Sequence, residues 1–227
     1  MKGWVSEIFA SIQGEGIYAG RRQTFIRFAG CSLRCKYCDT RYAQRRTPHF
    51  RFDGVDFANP VDPEFVAELI SGKEVCLTGG EPLEQPDFLV DVVKHLKKKF
   101  KTIYLETNGT RTLVLPRILP YISVVSLDFK VPSATGRRPF WIEHDRFLRK
   151  CRSEDCFVKI VVDRCFKLAE LDMVVRIIKR VNRSIPLVIQ PVWGTAIRSL
   201  MPFQERALNT LNDVRIIPQI HKYLKLK

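Results

Sequence analysis

The sequence predicts an α/β protein whose fold is an open partial (β/α)6-type barrel of mostly parallel strands. Short apolar runs rich in β-branched residues recur along the chain, as expected for strands that are buried on both faces. Segments with helical spacing of apolar residues separate these runs, which indicates βαβ units. Polar or glycine-rich residues follow several of the runs, and in parallel folds that end of the sheet carries the chemistry.

The individual elements follow from these patterns. Strands are predicted at residues 24–28, 74–77, 102–106, 124–128, 158–162, 187–190 and 213–217. Helices are predicted from Pro63 to Gly72, from Pro86 to about Phe100, and over residues 167–181 and 204–211. Proline suits the first position of a helix, which supports the first two starts. No fixed-period repeat or low-complexity linker divides the chain, so residues 1–227 are predicted to form a single domain.

Composition narrows the class of protein. Of the 227 residues, 45% are hydrophobic and 27% are charged, which is typical of globular domains. No apolar run is long enough to span a membrane and no signal segment is apparent, so we expect a cytoplasmic protein. Lys and Arg outnumber Asp and Glu by 38 to 24. The charges are dispersed, which favours a solvated surface over a nucleic-acid interface.

Three of the seven cysteines, Cys31, Cys35 and Cys38, stand together in a CxxxCxxC pattern. Thiolates favour iron–sulfur clusters, zinc and copper. A 4Fe–4S cluster held by three cysteines would keep one iron free for a ligand. Structural zinc is the alternative, but such sites usually have four ligands, and His49 is the nearest further candidate. The other cysteines suit a packed core, although Cys151 and Cys156 could bridge in an oxidising setting.

A second motif, Gly-Gly-Glu-Pro at residues 79–82, follows the second predicted strand. Glycine lets the backbone approach a cofactor closely, although the motif alone could be a turn. With the CxxxCxxC pattern and Tyr37 before its last cysteine, the chain resembles the radical S-adenosylmethionine superfamily. The resemblance implies that the open iron binds S-adenosylmethionine, and that one electron cleaves it to methionine and a 5′-deoxyadenosyl radical.

The same resemblance implies which residues contact S-adenosylmethionine. They are Tyr37, Cys38, Asp39, Gly80, Ser126, Asp128, Lys130, Gln190, Pro191, Val192 and Trp193. Asp128 would accept from the ribose hydroxyls and Lys130 would pair with the methionine carboxylate. The alternative for these two charged residues is an ordinary surface salt bridge.

Further motifs narrow the resemblance to the 7-carboxy-7-deazaguanine synthase family. They are the Gln-Gly-Glu-Gly run at residues 13–16, Asp39-Thr40, Thr78, and residues 190–195 and 218–223. The resemblance covers essentially the whole chain. It implies conversion of 6-carboxy-5,6,7,8-tetrahydropterin to 7-carboxy-7-deazaguanine with loss of ammonia, for 7-deazapurine (queuosine- or archaeosine-type) nucleosides of tRNA. It also implies Mg²⁺, a homodimer and an electron donor that the sequence does not identify.

Substrate contacts are implied for Ile12, Gln13, Gly14, Glu15, Arg27, Thr78, His221 and Lys227. Gln13 and Glu15 suit the pterin edge, because an amide donates and accepts while a carboxylate accepts. Arg27 suits the substrate carboxylate. Glu15 and His221 are the candidates for proton transfer.

Thr40 is the Mg²⁺ ligand that the resemblance implies, with Asp39 in support. A hydroxyl oxygen suits Mg²⁺, which prefers oxygen ligands and keeps several waters. The alternative is that Asp39 and Thr40 only cap a helix.

Two rival functions remain compatible with parts of the sequence. A glycyl-radical-enzyme activating enzyme also carries CxxxCxxC on a small open barrel, but it acts on a protein. A zinc-bound RNA-binding module would suit the basic charge. The Gln13–Gly16 run and the C-terminal motif favour a small-molecule site instead.

Overall fold

The computed structural model describes residues 1–99, 102–151 and 155–226, and these form one ten-stranded sheet flanked by helices. The strands are β1 (Val5–Ile12), β2 (Arg22–Phe28), β3 (His49–Phe52), β4 (Val55–Ala58), β5 (Glu74–Gly79), β6 (Thr102–Thr107), β7 (Val124–Asp128), β8 (Cys156–Val162), β9 (Leu187–Pro191) and β10 (Val214–Ile216). Their order across the sheet is β10-β9-β8-β7-β6-β5-β2-β1-β3-β4.

The sheet is mostly parallel and is not closed. Strands β2 and β5 to β10 are parallel neighbours in chain order, as right-handed βαβ connections produce. Strand β1 pairs antiparallel with β2, and the β3–β4 hairpin extends the sheet beyond β1. Since β10 and β4 lie at opposite edges, the open, mostly parallel architecture predicted from the sequence is confirmed.

Helices connect the parallel strands. They are α1 (Pro63–Leu69), α2 (Pro86–Lys97), α3 (Leu115–Ile118), α4 (Pro132–Thr135), α5 (Trp141–Lys150), α6 (Leu168–Val181), α7 (Met201–Leu208) and α8 (Ile220–Tyr223). Short 3₁₀ helices cover Gly16–Tyr18, Arg41–Gln44, Pro82–Glu84, Leu119–Tyr121 and Ile197–Leu200. In the described part of the chain, no helix is both long and apolar enough to cross a membrane.

The predicted elements are present with small shifts at their ends. All the predicted strands are found, but β1, the β3–β4 hairpin and helices α3, α4, α5 and α8 were not predicted. Helix α1 ends at Leu69, before the predicted Gly72, and the predicted helix over residues 204–211 lies earlier, at Met201–Leu208. The predicted end of α2 near Phe100 lies outside the described residues.

Apolar packing between the sheet and its helices holds the fold together. Helix α2 buries Phe88, Leu89, Val92 and Val93 in the main core, and each such side chain contributes about 1.5–3 kcal/mol. Strand β8 is buried at all its positions, as a central parallel strand should be. One of these positions is Lys159, a buried cation that needs partners.

Candidate active site

A row of polar side chains crosses one face of the sheet, moving two residues along the strand at β7 and again at β8. Arg27 on β2 is in register with Thr78 on β5, and Glu106 on β6 with Ser126 on β7. The row continues with Asp128 beside Lys159, and Gln190 beside Val161. These residues line a cavity of about 320 Å³. Most of these residues lie at or next to the last residue of their strand. Polar residues on buried strands indicate a site, because a core of this kind is otherwise apolar.

Residues 13–15 reach from the end of β1 across the face of the sheet that carries this row. Gln13 donates through Nε2 to Oε1 of Glu106 over 2.9 Å, and Thr78 donates through Oγ1 to Oε2 of the same carboxylate over 2.7 Å. Gln13 is 5% exposed. Glu106 therefore orients two of the predicted substrate residues.

Glu15 lies farther along this segment and pairs with Lys159 on β8. Lys159 also lies 3.5 Å from Oδ2 of Asp128, so one buried cation bridges two carboxylates. Burial alone would raise the pKa of Glu15, but the Lys159 charge and hydrogen bonds from Lys159 and Gln219 lower it to about 2. Glu15 is therefore an ionised acceptor, and a weak base near neutral pH.

Lys130 extends this charged network towards the cysteine loop. Its Nζ donates to Oδ2 of Asp128 over 2.8 Å and to the hydroxyl of Tyr37 over 3.0 Å. Burial alone would lower the pKa of Lys130, but Asp128 and Tyr37 raise it well above its usual value. Lys130 and Asp128 thus form the salt bridge of the alternative interpretation, but their side chains are only 13% and 11% exposed, so the pair is not on the surface.

The C-terminal segment closes the cavity against the Gln13–Glu15 region. Ile220 donates its backbone N–H to the carbonyl of Gly14 over 2.9 Å, and Gln219 donates to Oε1 of Glu15 over 3.0 Å. A side chain on Gly14 would begin 2.3 Å from Nδ1 of His221, so glycine is needed for this approach. His221 therefore lies at the cavity beside two other predicted substrate residues.

Asp39 links the same segment to the cysteine loop. Its Oδ2 lies 3.8 Å from Nε2 of His221 and 3.3 Å from Nζ of Lys222. Burial would raise the pKa of Asp39, but His221 and Lys222 lower it. Asp39 therefore holds the C-terminal wall in place, a role that the sequence did not indicate.

Contacts with neighbouring side chains hold the Arg27 side chain in place. Its Nε donates to Oε1 of Glu7 over 2.9 Å, and Tyr42 donates its hydroxyl to the same oxygen over 2.6 Å. The Arg27 guanidinium also lies 5.3 Å from the centre of the Phe9 ring. These contacts fix the direction of a cation on the cavity wall, as a carboxylate-binding arginine requires.

Cys31, Cys35 and Cys38 all line the cavity from one loop. Among the described residues, no three His, Cys, Asp or Glu side chains are grouped closely enough to hold a metal ion. The case for an iron–sulfur cluster site therefore depends on two observations. The three thiols belong to one loop, and they line one cavity. Thr40 also lines the cavity, with Oγ1 3.8 Å from Sγ of Cys38.

The structure agrees only in part with the alternative that Thr40 caps a helix. Thr40 does occupy the N-cap position of the 3₁₀ helix Arg41–Gln44, but its side chain makes no capping hydrogen bond. Its hydroxyl is therefore not committed to the helix end.

The Gly-Gly-Glu-Pro motif has a structural cause at each of its first three residues. A Cβ on Gly80 would begin 2.1 Å from the backbone oxygen of Gly30, and Gly79 has φ +127°. Glu81 accepts from the backbone N–H of Asn108 over 2.8 Å and from the hydroxyl of Thr107 over 2.7 Å. Burial raises the pKa of Glu81 to about 7, while these donors act in the opposite direction. The motif thus joins β5, β6 and the cysteine loop.

Buried polar atoms without partners face the region predicted for S-adenosylmethionine. Oδ1 of Asp128 and both amide atoms of Gln190 have no hydrogen bond among the described residues. Gln190 is 1% exposed and lines the cavity. Unpaired buried polar atoms are costly, so these atoms point to a ligand that satisfies them.

The structure brings most predicted site residues to this one cavity. They are Ile12, Gln13, Gly14, Glu15, Arg27, Cys31, Cys35, Tyr37, Cys38, Asp39, Thr40, Thr78, Gly80, Ser126, Asp128, Lys130, Gln190, Val192 and His221. Pro191 and Trp193 do not line it; Trp193 is 52% exposed and packs against Tyr223. Lys227 lies outside the described residues.

Sequence reasoning did not find several cavity residues. Tyr42, Glu106, Lys159, Gln219 and Lys222 line the cavity and were given no site role, nor was Glu7, which holds Arg27 without lining the cavity. A charged residue inside an apolar strand was the available signal for Glu106 and Lys159. Gln219 and Lys222 lie in the 218–223 motif, which carried the resemblance without giving them a role. Glu7 and Tyr42 act through contacts that are distant in sequence, which no local pattern reveals.

Comparison with known proteins agrees with this geometry. Residues 25–189 match the Radical SAM superfamily. The 7-carboxy-7-deazaguanine synthase of Geobacter sulfurreducens is 36% identical over 97% of this chain and 96% of its own length. The synthase of Archaeoglobus fulgidus is 35% identical over 100% of both chains. A crystal structure of QueE from Escherichia coli has a TM-score of 0.70 over 97% of this chain and 95% of that chain, at 19% identity.

The fold, the cysteine loop and the glycine motif define a radical S-adenosylmethionine protein. Within that superfamily, the chain belongs to the 7-carboxy-7-deazaguanine synthase family. These relatives do not favour the glycyl-radical alternative.

Proposed function

We propose that this chain is a radical S-adenosylmethionine lyase that converts 6-carboxy-5,6,7,8-tetrahydropterin to 7-carboxy-7-deazaguanine with loss of ammonia. The observation that carries the proposal is one cavity that joins the cysteine loop to a polar row and to the Gln13–Glu15 segment. The names of the relatives agree with it. The product would serve the synthesis of 7-deazapurine nucleosides of tRNA.

The cysteine loop suits an iron–sulfur cluster. Cys31, Cys35 and Cys38 would hold a 4Fe–4S cluster, because three soft thiols face one cavity and no fourth cysteine lines it in the described residues. When bound, the reduced cluster supplies the electron that cleaves S-adenosylmethionine to methionine and a 5′-deoxyadenosyl radical. The protein's own part is to position the cofactor and the substrate.

Residues of β7 and β9 suit S-adenosylmethionine. Oδ1 of Asp128 can accept from hydroxyl groups, and the amide of Gln190 can donate and accept. Lys130 is committed to Asp128 and Tyr37, so we assign it to ordering this region. The backbone around Gly80 would complete the site.

The pterin substrate would lie between the polar row and the C-terminal segment. Ionised Glu15 would accept from ring N–H groups, and Arg27 would bind the carboxylate. Gln13 and Thr78, both oriented by Glu106, would contact the pterin edge. The low pKa of Glu15 makes His221 the better candidate for proton transfer, with Lys227 as a further contact.

Thr40 would contribute an oxygen ligand to Mg²⁺. Its hydroxyl faces the cavity, lies next to the cysteine loop and makes no capping bond. From the family resemblance alone, we also propose a homodimer, a cytoplasmic location and an external electron donor.

The function can be tested by anaerobic reconstitution with iron and sulfide. Reductant, S-adenosylmethionine, Mg²⁺ and the carboxytetrahydropterin are then added, and products are analysed by mass spectrometry. We expect 7-carboxy-7-deazaguanine. Formation of 5′-deoxyadenosine alone would keep the radical class and reject the substrate, whereas absence of both products would reject the proposal.

Replacement of Cys35 by Ala should abolish the cluster. Two cysteines do not hold a stable 4Fe–4S site, so we expect turnover to fall by about 10³-fold or more. Iron content and visible absorbance after reconstitution report the cluster directly. Cys165→Ala is the matched control, because Cys165 is exposed and lies outside the cavity. Normal iron content in the Cys35 variant would remove this residue from the ligand set.

Replacement of Thr40 by Ala should weaken the dependence on Mg²⁺. Loss of one oxygen ligand is expected to raise the Mg²⁺ concentration for half-maximal activity by about tenfold. Thr47→Ala is the control, since the exposed Thr47 lies outside the cavity and, among the described residues, its hydroxyl bonds to the carbonyl of His49. An unchanged Mg²⁺ titration in the Thr40 variant would exclude a ligand role.

A further inference from the structure

Gln23 is a buried polar residue of β2 to which the proposed chemistry gives no role. It is 2% exposed and lies on the same face of the strand as Arg27, because side chains alternate along a strand. Unlike Arg27, it does not line the cavity. A buried amide is costly unless its polar atoms are hydrogen-bonded, so the partners of Gln23 indicate what it does.

Gln23 stands between the carboxylate of Glu74 and the amide of Gln13. Its Nε2 donates to Oε2 of Glu74 over 3.3 Å, and its Oε1 accepts from Nε2 of Gln13 over 3.2 Å. Glu74 is itself paired with Arg21. A carboxylate paired with a cation only accepts hydrogen bonds, so the end of Gln23 that faces Glu74 is its NH2 group. The carbonyl end of Gln23 therefore faces Gln13.

Both hydrogens of the Gln13 amide are used by protein contacts. Nε2 donates one to Oε1 of Gln23 and the other, over 2.9 Å, to Oε1 of Glu106. The sulfur of Cys76 lies farther from Nε2, at 3.9 Å, and sulfur is a weak acceptor. Oε1 of Gln13 accepts from the backbone N–H of Glu15 over 3.1 Å. The Gln13 side chain therefore holds the backbone of Glu15.

Two contacts on different strands fix the plane of the Gln13 amide. Gln23 lies on β2 and Glu106 on β6, with β5 between them. One hydrogen bond would let the amide turn about that bond, whereas two diverging bonds from one NH2 group prevent the rotation. With its plane fixed, the amide directs Oε1 at the N–H of Glu15, whose carboxylate is proposed to accept from the substrate.

Backbone contacts hold Gln13 independently of its side chain. The N–H of Gln13 donates to the oxygen of Arg21 over 2.7 Å, and the N–H of Gly20 donates to the oxygen of Gln13 over 2.8 Å. A substitution at Gln23 should therefore leave the backbone of this segment in place. It should loosen only the Gln13 amide and the N–H of Glu15, which separates its effect from a general loss of structure.

We propose that Gln23 is a positioning residue of the pterin site, which fixes the Gln13 amide and, through it, the Glu15 segment that receives the substrate. The inference rests on the proposed function. Gln23 does not line the cavity, so it acts through Gln13 and does not touch the substrate. The residues proposed for S-adenosylmethionine on β7 and β9 do not depend on this contact.

The first test replaces Gln23 by Met, which has a similar length but no amide. Dissociation constants of 6-carboxy-5,6,7,8-tetrahydropterin and of S-adenosylmethionine are measured by anaerobic calorimetry. The protein is reconstituted and contains Mg²⁺ but no reductant, so no turnover occurs. We expect the Kd of the pterin to rise about tenfold and that of S-adenosylmethionine to change by less than about twofold.

Gln204→Met is the matched control for Gln23→Met. Gln204 is partly buried, donates to the carbonyl of Val214 over 2.8 Å and lies outside the cavity. Its replacement removes a glutamine hydrogen bond of comparable kind, and both dissociation constants should stay unchanged.

A second variant exchanges the two members of the buried pair. Gln23→Glu/Glu74→Gln keeps the net charge, and the new amide at position 74 can donate to the new carboxylate at position 23, which still accepts from Gln13. We expect this variant to bind the pterin within about threefold of the unaltered protein. Gln23→Glu alone places two carboxylates side by side, so it should bind the pterin more weakly than the exchange variant.

NMR of isotope-labelled protein provides a readout that needs no activity. In Gln23→Met, the side-chain NH2 of Gln13 should exchange its hydrogens about tenfold faster than in the unaltered protein. An unchanged pterin Kd in Gln23→Met, an equal weakening of S-adenosylmethionine binding, or an exchange variant as weak as Gln23→Met would overturn the proposal. Failure of the unaltered protein to bind the pterin would reject the proposed function, and the NMR comparison would still decide whether Gln23 fixes the Gln13 amide.

Discussion

Replacement of Lys159 by Met is expected to lower kcat/KM by about 10²-fold. Lys159 is 7% exposed and is the cation shared by Glu15 and Asp128. Met has similar length but no charge, so both carboxylates would lose their common partner. Removal of one member of a buried ion pair typically destabilises a protein by about 3–5 kcal/mol, so the free energy of unfolding should fall as well.

The Lys159 variant should also change the pH dependence. With Lys159 present, the pKa of Glu15 is about 2, below its ordinary value of 4.5. Such a lowered pKa stabilises the fold above pH 4.5, and this contribution is lost as pH falls through about 2. Without Lys159, burial raises the pKa of Glu15. The acid limb of the plot of kcat/KM against pH should therefore move to higher pH.

Arg206→Met is the control for Lys159→Met, because it breaks an exposed ion pair with Asp172 far from the cavity. It should change neither kcat/KM nor the pH profile. A Lys159→Met enzyme with the activity and acid limb of the unaltered protein would show that the bridge has no role in the site.

Replacement of Gly80 by Ala should destabilise the protein strongly and disturb the cysteine loop. The new Cβ would lie 2.1 Å from the oxygen of Gly30 and 2.8 Å from the oxygen of Ala43. Both are backbone atoms, so relief requires β5 and the cysteine loop to separate. We expect a loss of about 3 kcal/mol in the free energy of unfolding, measured by urea denaturation, together with lower iron content.

Gly54→Ala separates backbone strain from this clash. Gly54 has φ +80° in the β3–β4 turn, and a Cβ there would meet nothing within 4 Å. The Gly54 variant should lose about 1 kcal/mol in the free energy of unfolding and keep its iron content. Equal losses in the two variants would mean that the Gly80 contact does not hold the loop.

The sequence predicted the parallel half of the sheet better than the antiparallel half. Strands β5 to β9 are short apolar runs bounded by turn residues, so their pattern is unambiguous. Strand β1 carries Glu7 and Ser11 at buried positions, which obscures its periodicity. Glu7 is buried because it holds Arg27 at the site, and a function-driven exception of this kind cannot be read from local sequence.

The residues of the candidate site also differ in how far the sequence predicted them. Motif residues such as Cys31 and Gly80 were predictable, because their spacing is local. Glu106 and Lys159 became site residues only when strand register placed them beside Ser126 and Asp128. The predicted reason for Gly80 was also incomplete, since its lack of a side chain serves contact with Gly30 as well as any cofactor.

The contact between Glu15 and Gln219 spans 204 positions of the chain. Contacts between such distant residues form late in folding, because a long loop must close first. The wall of the cavity formed by Gln219 and His221 is therefore expected to assemble after the sheet. In the folded protein, this wall rests on few contacts and should exchange its amide hydrogens faster than the core strands. Substrate access and folding order would then depend on the same short segment.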